Sequence, residues 1–222
     1  MSILFKEIID FFKENIIPIS ILILKIELPF IIIDNLDIIA EIPLIIKIFT
    51  TIVGLAFVFI VIPFSTGAQI TLCSQIINRT EANLNKCMHE SRSHLLHMII
   101  GSLVSFFLIA GGLVLFIIPG IILGVRLSFF PFFIMYEDYK PLLSLKESFK
   151  VTKEYMWQIA YPLIVLTLIF VVPGIILMET FQGIGILYFL FWVVFDATYA
   201  ILGCLALILV FRFYCIHKKN DA

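Results

Sequence analysis

The chain has 222 residues, 62% of them hydrophobic and 14% charged, with a mean hydropathy of +1.13. Soluble domains average roughly 45–50% apolar and about 25% charged, so no water-soluble core could bury this excess, and lipid must be the solvent for most of the chain. A net charge of −1 with no block of like charge excludes a nucleic-acid partner and a charged binding tail.

In chain order, residues 1–14 (MSILFKEIIDFFKE) are amphipathic. Ile8, Ile9, Phe11 and Phe12 are apolar, while Lys6, Asp10 and Lys13 share a helical face, which predicts a helix lying on the membrane surface. A first span is predicted over 15–33, although Lys25 and Glu27 sit in its middle and Pro29 interrupts it. Residues 34–47 read as a short acidic loop, with Asp34, Asp37 and Glu41 against Lys47. Their apolar side (Ile38, Ile39, Ile42) fits a second surface helix. The second span, 48–73, holds Pro63 and Gly67, which a helix bundle tolerates where neighbours satisfy the freed carbonyl. A polar stretch over 75–95 carries Arg79, Lys86 and Arg92.

The third span, 96–118, ends at Pro119-Gly120, read as a turn, and the fourth, 121–136, contains Pro131. Residues 137–155 carry Lys140, Lys146, Lys150 and Lys153. They read as an amphipathic helix of their own, with an apolar stripe of Leu142, Leu145, Phe149 and Thr152. Glu137, Asp138, Glu147 and Glu154 nearly cancel the lysines, so attraction to anionic headgroups is modest. The fifth span, 156–178, is followed by a turn with Glu179, Gln182, Gly183 and Gly185. The sixth span, 186–211, leads to a basic tail, 212–222. The expected fold is therefore an all-α polytopic membrane protein with six transmembrane helices and short amphipathic interfacial helices.

Charge orients this arrangement. With the N-terminus inside, every inner segment is basic, and the outer connections hold only Lys47. Both termini are thus expected in the cytoplasm. If 15–33 failed to span, the N-terminus alone would move outside, taking Lys6 and Lys13 against the rule. Lys25 and Glu27 inside the first apolar run, with no small-x-small site after it, argue against a cleavable signal. Cys73, Cys87, Cys204 and Cys215 have no paired spacing, and no disulfide is expected.

FIIPGIIL at 116–123 recurs as FVVPGIIL at 170–177. The echo reads either as a duplicated hairpin, with Pro119-Gly120 and Pro173-Gly174 as helix turns, or as a common turn flanked by lipid-facing Ile and Val. Charges inside apolar spans are expensive and default to function. Asp196 (in FWVVFDATYAIL) and Lys25 both lie near the middle of their spans, and Arg126 lies just beyond the Pro-Gly turn. An Asp196–Lys25 or Asp196–Arg126 pair would remove the cost of a lone charge. Such a pair would serve as a structural lock or as part of a proton or ion path. Arg126 and Glu179 have the alternative of snorkelling to the interface.

Cys87, Glu90, His94 and His97 recur at one helical face, but the histidines miss the HExxH spacing, and a hydrated surface is the expected reading. Gly120, Gly124 and Ser128 form a small-xxx-small run suited to close helix packing, or more sharply to homodimerisation. No nucleophile elbow, phosphate loop or glycine-rich fingerprint occurs, so no catalytic residue, metal or cofactor is expected.

The segment PGIILGVRLSFFPFFIMYEDYKPLLSLKESFKVTKEYMW resembles the central part of the YciC-type inner-membrane proteins of Gram-negative bacteria. The likeness is carried by Pro119-Gly120-Ile121-Ile122, Pro131, Asp138, Ser148 with Thr152, and Trp157. Lys6-Glu7 with Phe11-Phe12-Lys13, Gly67-Ala68-Gln69-Ile70 and Phe211-Arg212-Phe213-Tyr214 fit as well. The chain departs by a shorter segment after the first span and by Arg126. The resemblance implies a multi-pass inner-membrane protein of envelope or membrane homeostasis, with no defined reaction and no catalytic residue to carry over. Its expected partners are the lipid bilayer and either a second copy or other inner-membrane proteins. The competing class is a transporter or channel for a small solute or lipid, using Asp196, Lys25, Arg126 and Gln69.

Overall fold

The computed structural model describes residues 2–38, 44–180 and 186–220, and every regular element among them is helical. Six helical stretches are long and apolar enough to cross a membrane: Ile16–Asp34, Leu44–Ile77, Leu84–Leu115, Ile117–Glu137, Pro141–Gly174 and Ile186–Lys219. Large apolar side chains cover the outer surface, among them Ile45, Val114 and Trp157. Water would not tolerate so wide an apolar exterior, whereas lipid requires it. The protein is a multi-pass, all-α membrane protein.

The first helix, α1 (Ser2–Glu14), is the expected amphipathic one. Ile8 and Phe12 are buried, and Glu7 pairs with Arg212 at 3.2 Å, so α1 docks on the end of the last helix. The first apolar run forms one unbroken helix, α2 (Ile16–Asp34), with Pro29 inside. A 3₁₀ turn, Asn35–Ile38, follows it. Ile39 and Ile42 of the expected surface helix lie outside the described residues, as do Gln182, Gly183 and Gly185.

The second span is α3 (Leu44–Ala56), a π-helical turn (Phe57–Val61) and α4 (Ile62–Ile77) in line. Pro63 sits in the first turn of α4, where its missing N–H cannot continue an α ladder. The polar stretch before the third span is helical too. In α5 (Leu84–Leu115) it joins the span directly, and the Asn83 side chain caps its first turn by accepting from the Lys86 N–H at 3.0 Å.

Several boundaries differ from the sequence reading. The turn between the third and fourth spans falls at Phe116, whose backbone is extended, and Pro119-Gly120 lies inside α6 (Ile117–Arg126). The reason is positional: proline at the third helical residue loses an N–H that has no intrahelical partner anyway. Pro173-Gly174 is no turn either. It lies within α8 (Pro141–Thr180), so the two echoes take different conformations. The fourth span is itself broken, into α6 and α7 (Phe130–Glu137), because Pro131 cannot donate to the Leu127 carbonyl. The last helix is α9 (Ile186–Asn220).

Residues 137–155 do not form a separate surface helix. From Pro141 they are the first turns of α8, continuous with the fifth span. Their buried stripe is Leu145, Ser148, Thr152, Tyr155 and Ile159, whereas Leu142 and Phe149 face outward. The hydroxyls decide this register. The Ser148 and Thr152 hydroxyls donate to the Arg126 carbonyl at 2.9 and 2.8 Å, and the Phe129 N–H donates to Ser148 Oγ at 3.0 Å. The broken backbone at 127–129 needs those partners in a bilayer, where no water supplies them.

Gly112 and Gly120 bring α5 and α6 together: a Cβ added at Gly112 would lie 3.0 Å from the Gly120 Cα. Gly124 also faces α5, near Ile109, so the small-residue run serves packing inside the bundle.

Contacts at one end gather the segments that the charge pattern grouped together. Glu7 meets Arg212, Lys218 Nζ lies 2.7 Å from Glu137, and His94 lies 3.4 Å from Asp138. This is called the basic end below.

Candidate functional site: an acid-lined cavity

A cavity of about 530 Å³ opens in the bundle between α2, α4 and α9. Each helix turns one stripe of residues toward it at spacings of three or four. On α2 these are Glu27, Ile31 and Asp34; on α4, Ile62, Thr66 and Gln69; on α9, Asp196, Tyr199, Ala200 and Gly203. Small residues on α9 leave the space, since a Cβ added at Gly203 would meet nothing within 4 Å.

Glu27 is 8% exposed, and one carboxylate oxygen accepts a hydrogen bond from the Ser65 hydroxyl of α4. The Gln69 amide donates to that same Ser65 oxygen at 3.0 Å. Ser65 thereby uses its single donor on the acid and one lone pair on the amide. Asp196 accepts from the Asn35 side-chain amide at 2.9 Å, and Asn35 also donates to the Ile31 carbonyl at 2.9 Å. The 3₁₀ turn after α2 is what aims Asn35 at α9.

The structure therefore pairs Asp196 with neither expected cation. Lys25 is exposed on the opposite side of α2 and makes no ion pair among the described residues. Arg126 points to α8: its Nε and Nη2 donate to the Phe149 carbonyl at 2.8 and 2.5 Å, and its guanidinium lies 3.8 Å from the Phe149 ring centroid. Stacking on an aromatic face and closing on a carbonyl satisfy a guanidinium without a carboxylate. Pro119, Gly120, Pro173 and Gly174 lie away from the cavity and serve helix packing. Gly174 gives room to the Phe195 ring, which would lie 2.8 Å from an added Cβ.

The face of Cys87, Glu90, His94 and His97 is also pulled apart. Cys87 is fully buried, Glu90 lies 3.8 Å from Lys86, and His94 turns to Asp138.

Two carboxylates of the cavity were not legible as site residues. Glu27 stood out only as a charge breaking the first span, and Asp34 read as part of the acidic loop. Their i, i+7 spacing with Ile31 between was the available signal: it puts both on one face of α2. The cavity thus gathers three carboxylates, and neither lysine nor arginine is among its lining residues. A cation between these carboxylates would hold them ionised, and in a low-dielectric bundle the attraction between them is strong. Most of the remaining wall is aliphatic, so the site suits a cation with an apolar body or a small cationic group.

No protein-family model matches the chain, and neither does any curated protein or solved structure. Fold and site together define a six-span helical membrane protein with an acid-lined cavity that opens at the side of the bundle.

Proposed function

We propose that the protein works in a bacterial inner membrane, with both termini cytoplasmic, and serves membrane or envelope homeostasis by taking a small positively charged solute or lipid headgroup into the acid-lined cavity. The cavity carries this reading: Glu27, Asp34 and Asp196 converge on one space in the bundle without a cationic side chain lining it. A purely structural charge would be expected to face a counter-charge, and Asp196 faces Asn35 instead. The orientation is supported by the basic segments meeting at one end, as the positive-inside rule requires of a cytoplasmic face. The likeness to YciC-type proteins supports the membrane and the homeostatic role. No reaction is part of this reading.

The test is complementation. Deletion of the gene is expected to alter lipid composition and induce envelope stress, and wild type restores both. Asp196→Asn and Glu27→Gln are expected to insert normally, because each keeps its shape and a hydrogen-bond partner, yet fail to restore them. A fully active Asp196→Asn overturns the role of the buried acid. Thiol labelling of single cysteines placed at Lys140 and Lys219 tests orientation separately: labelling from the periplasmic side reverses it.

A further inference from the structure

Beside the acid-lined cavity, and sharing Ile62 and Thr66 with it, lies a smaller pocket of about 330 Å³, lined by residues of the π-helical turn, α4, α5 and α7. Its walls are aromatic and aliphatic, with Phe59, Phe106 and Phe130 among them. Phe59 and Phe106 meet edge to face, with centroids 5.4 Å apart. Thr66, Ser102 and Ser105 bring hydroxyls to this space, and the Thr66 hydroxyl donates to the Ile62 carbonyl at 2.9 Å. Ser105 of α5 is 6% exposed, lines the pocket, and its hydroxyl has no hydrogen-bond partner among the described residues. In the π-helical turn the Ile62 N–H bonds to the Phe57 carbonyl. The next carbonyl, of Val58, would look to residue 63 at five residues' distance. Residue 63 is proline and has no hydrogen to give. Both Val58 and Phe59 line the pocket.

A buried hydroxyl without a partner in hydrocarbon is costly, and such groups are normally satisfied. A ligand hydroxyl satisfies it by accepting from Ser105. The volume falls at the low end of ligand sites, roughly 300–1,000 Å³. The pocket is also flanked by exposed Val58, Phe106 and Ile62, which gives an apolar molecule a path from the lipid. We propose that this pocket binds a membrane alcohol: a hydroxyl group on an apolar chain, entering from the bilayer. The pocket shares Ile62 and Thr66 with the wall of the acid-lined cavity, whereas Ser105 lines this pocket alone.

Photolabelling tests it. The purified full chain in lipid nanodiscs is irradiated with diazirine-bearing hexadecanol and, in parallel, with diazirine-bearing hexadecane, and the labelled peptides are mapped. The alcohol is expected to label the peptides holding Phe59 and Phe106 about threefold more than the hydrocarbon, the ratio that one intramembrane hydrogen bond of about 0.6 kcal/mol provides. Ser105→Ala, checked for unchanged melting, is expected to bring alcohol labelling down to the hydrocarbon level. Ile109→Trp fills the pocket from α5 without touching a hydroxyl, and is expected to abolish labelling by both probes. Equal labelling by the two probes overturns the proposal, as does labelling indifferent to Ser105→Ala or surviving Ile109→Trp. Labelling by neither probe overturns it too, and assigns the pocket to water alone.

Discussion

One helix, α9, builds two regions on opposite packing rules. Toward the basic end its Phe211 and Tyr214 stack on Phe132 of α7, with centroids 5.4 and 5.3 Å apart, and Phe129 and Phe132 are fully buried. Toward the middle the same helix offers Ala200, Gly203 and Ala206, and the space they vacate faces the acids of α2. In lipid no hydrophobic force drives helices together, so close van der Waals fit is what holds them. The aromatic end has that fit. The cavity forgoes it, because atoms lining a void lose their partners. Stability and site are thereby assigned to different turns of one helix.

The largest expected effect breaks the aromatic end. Phe132→Ala should cost about 3–5 kcal/mol, the range for emptying a core aromatic site. Unfolding in mixed detergent micelles checks it, and a loss no larger than that of a cavity substitution would erase the distinction between the two regions.

A matched pair of glycine substitutions sharpens the comparison. A Cβ at Gly120 would lie 2.4 Å from the Leu113 side chain and 2.9 Å from its backbone nitrogen. Gly120→Val should therefore destabilise by about 1–3 kcal/mol through overpacking. At Gly203 an added Cβ meets nothing within 4 Å, so Gly203→Leu starts into open space and gains up to about 1 kcal/mol from helix propensity. It should raise the melting temperature while abolishing complementation, because its side chain fills the cavity. Retained function in Gly203→Leu would show that the cavity is not used.

Smaller effects follow. Thr152→Val removes one of the two hydroxyls that hold the Arg126 carbonyl, and should cost about 0.6 kcal/mol, the average for such bonds inside membranes. Lys25→Met should not destabilise the bundle, since the lysine is exposed near the middle of α2, where hydrocarbon penalises a charge, and makes no ion pair among the described residues. Reversing the charges of Lys25 and Asp196 together should give no mutual rescue in the same unfolding assay. Rescue would restore the pair that the geometry separates.

Much of the architecture was already written in the residues. Composition demanded lipid, runs of apolar residues marked six spans, and the spacing of Lys6, Asp10 and Lys13 marked α1 as amphipathic. These signals are local and periodic, so they survive without knowledge of neighbours. The helix boundaries at proline were less legible. Pro119 and Pro173 share one motif, yet one lies just inside a helix start and the other deep within α8. A proline's effect depends on whether the carbonyl it deprives finds another partner, and that partner is distant in sequence.

The partnership of the buried charges was decided by tertiary structure alone. By sequence, Lys25 and Arg126 are interchangeable candidates for pairing with Asp196. Helix rotation turns Lys25 outward, the break at 127–129 hands Arg126 to Phe149, and a 3₁₀ turn delivers Asn35 to Asp196. Hydropathy places a residue at a depth in the bilayer. Which way it faces there is set by packing against helices that the chain reaches only many residues later.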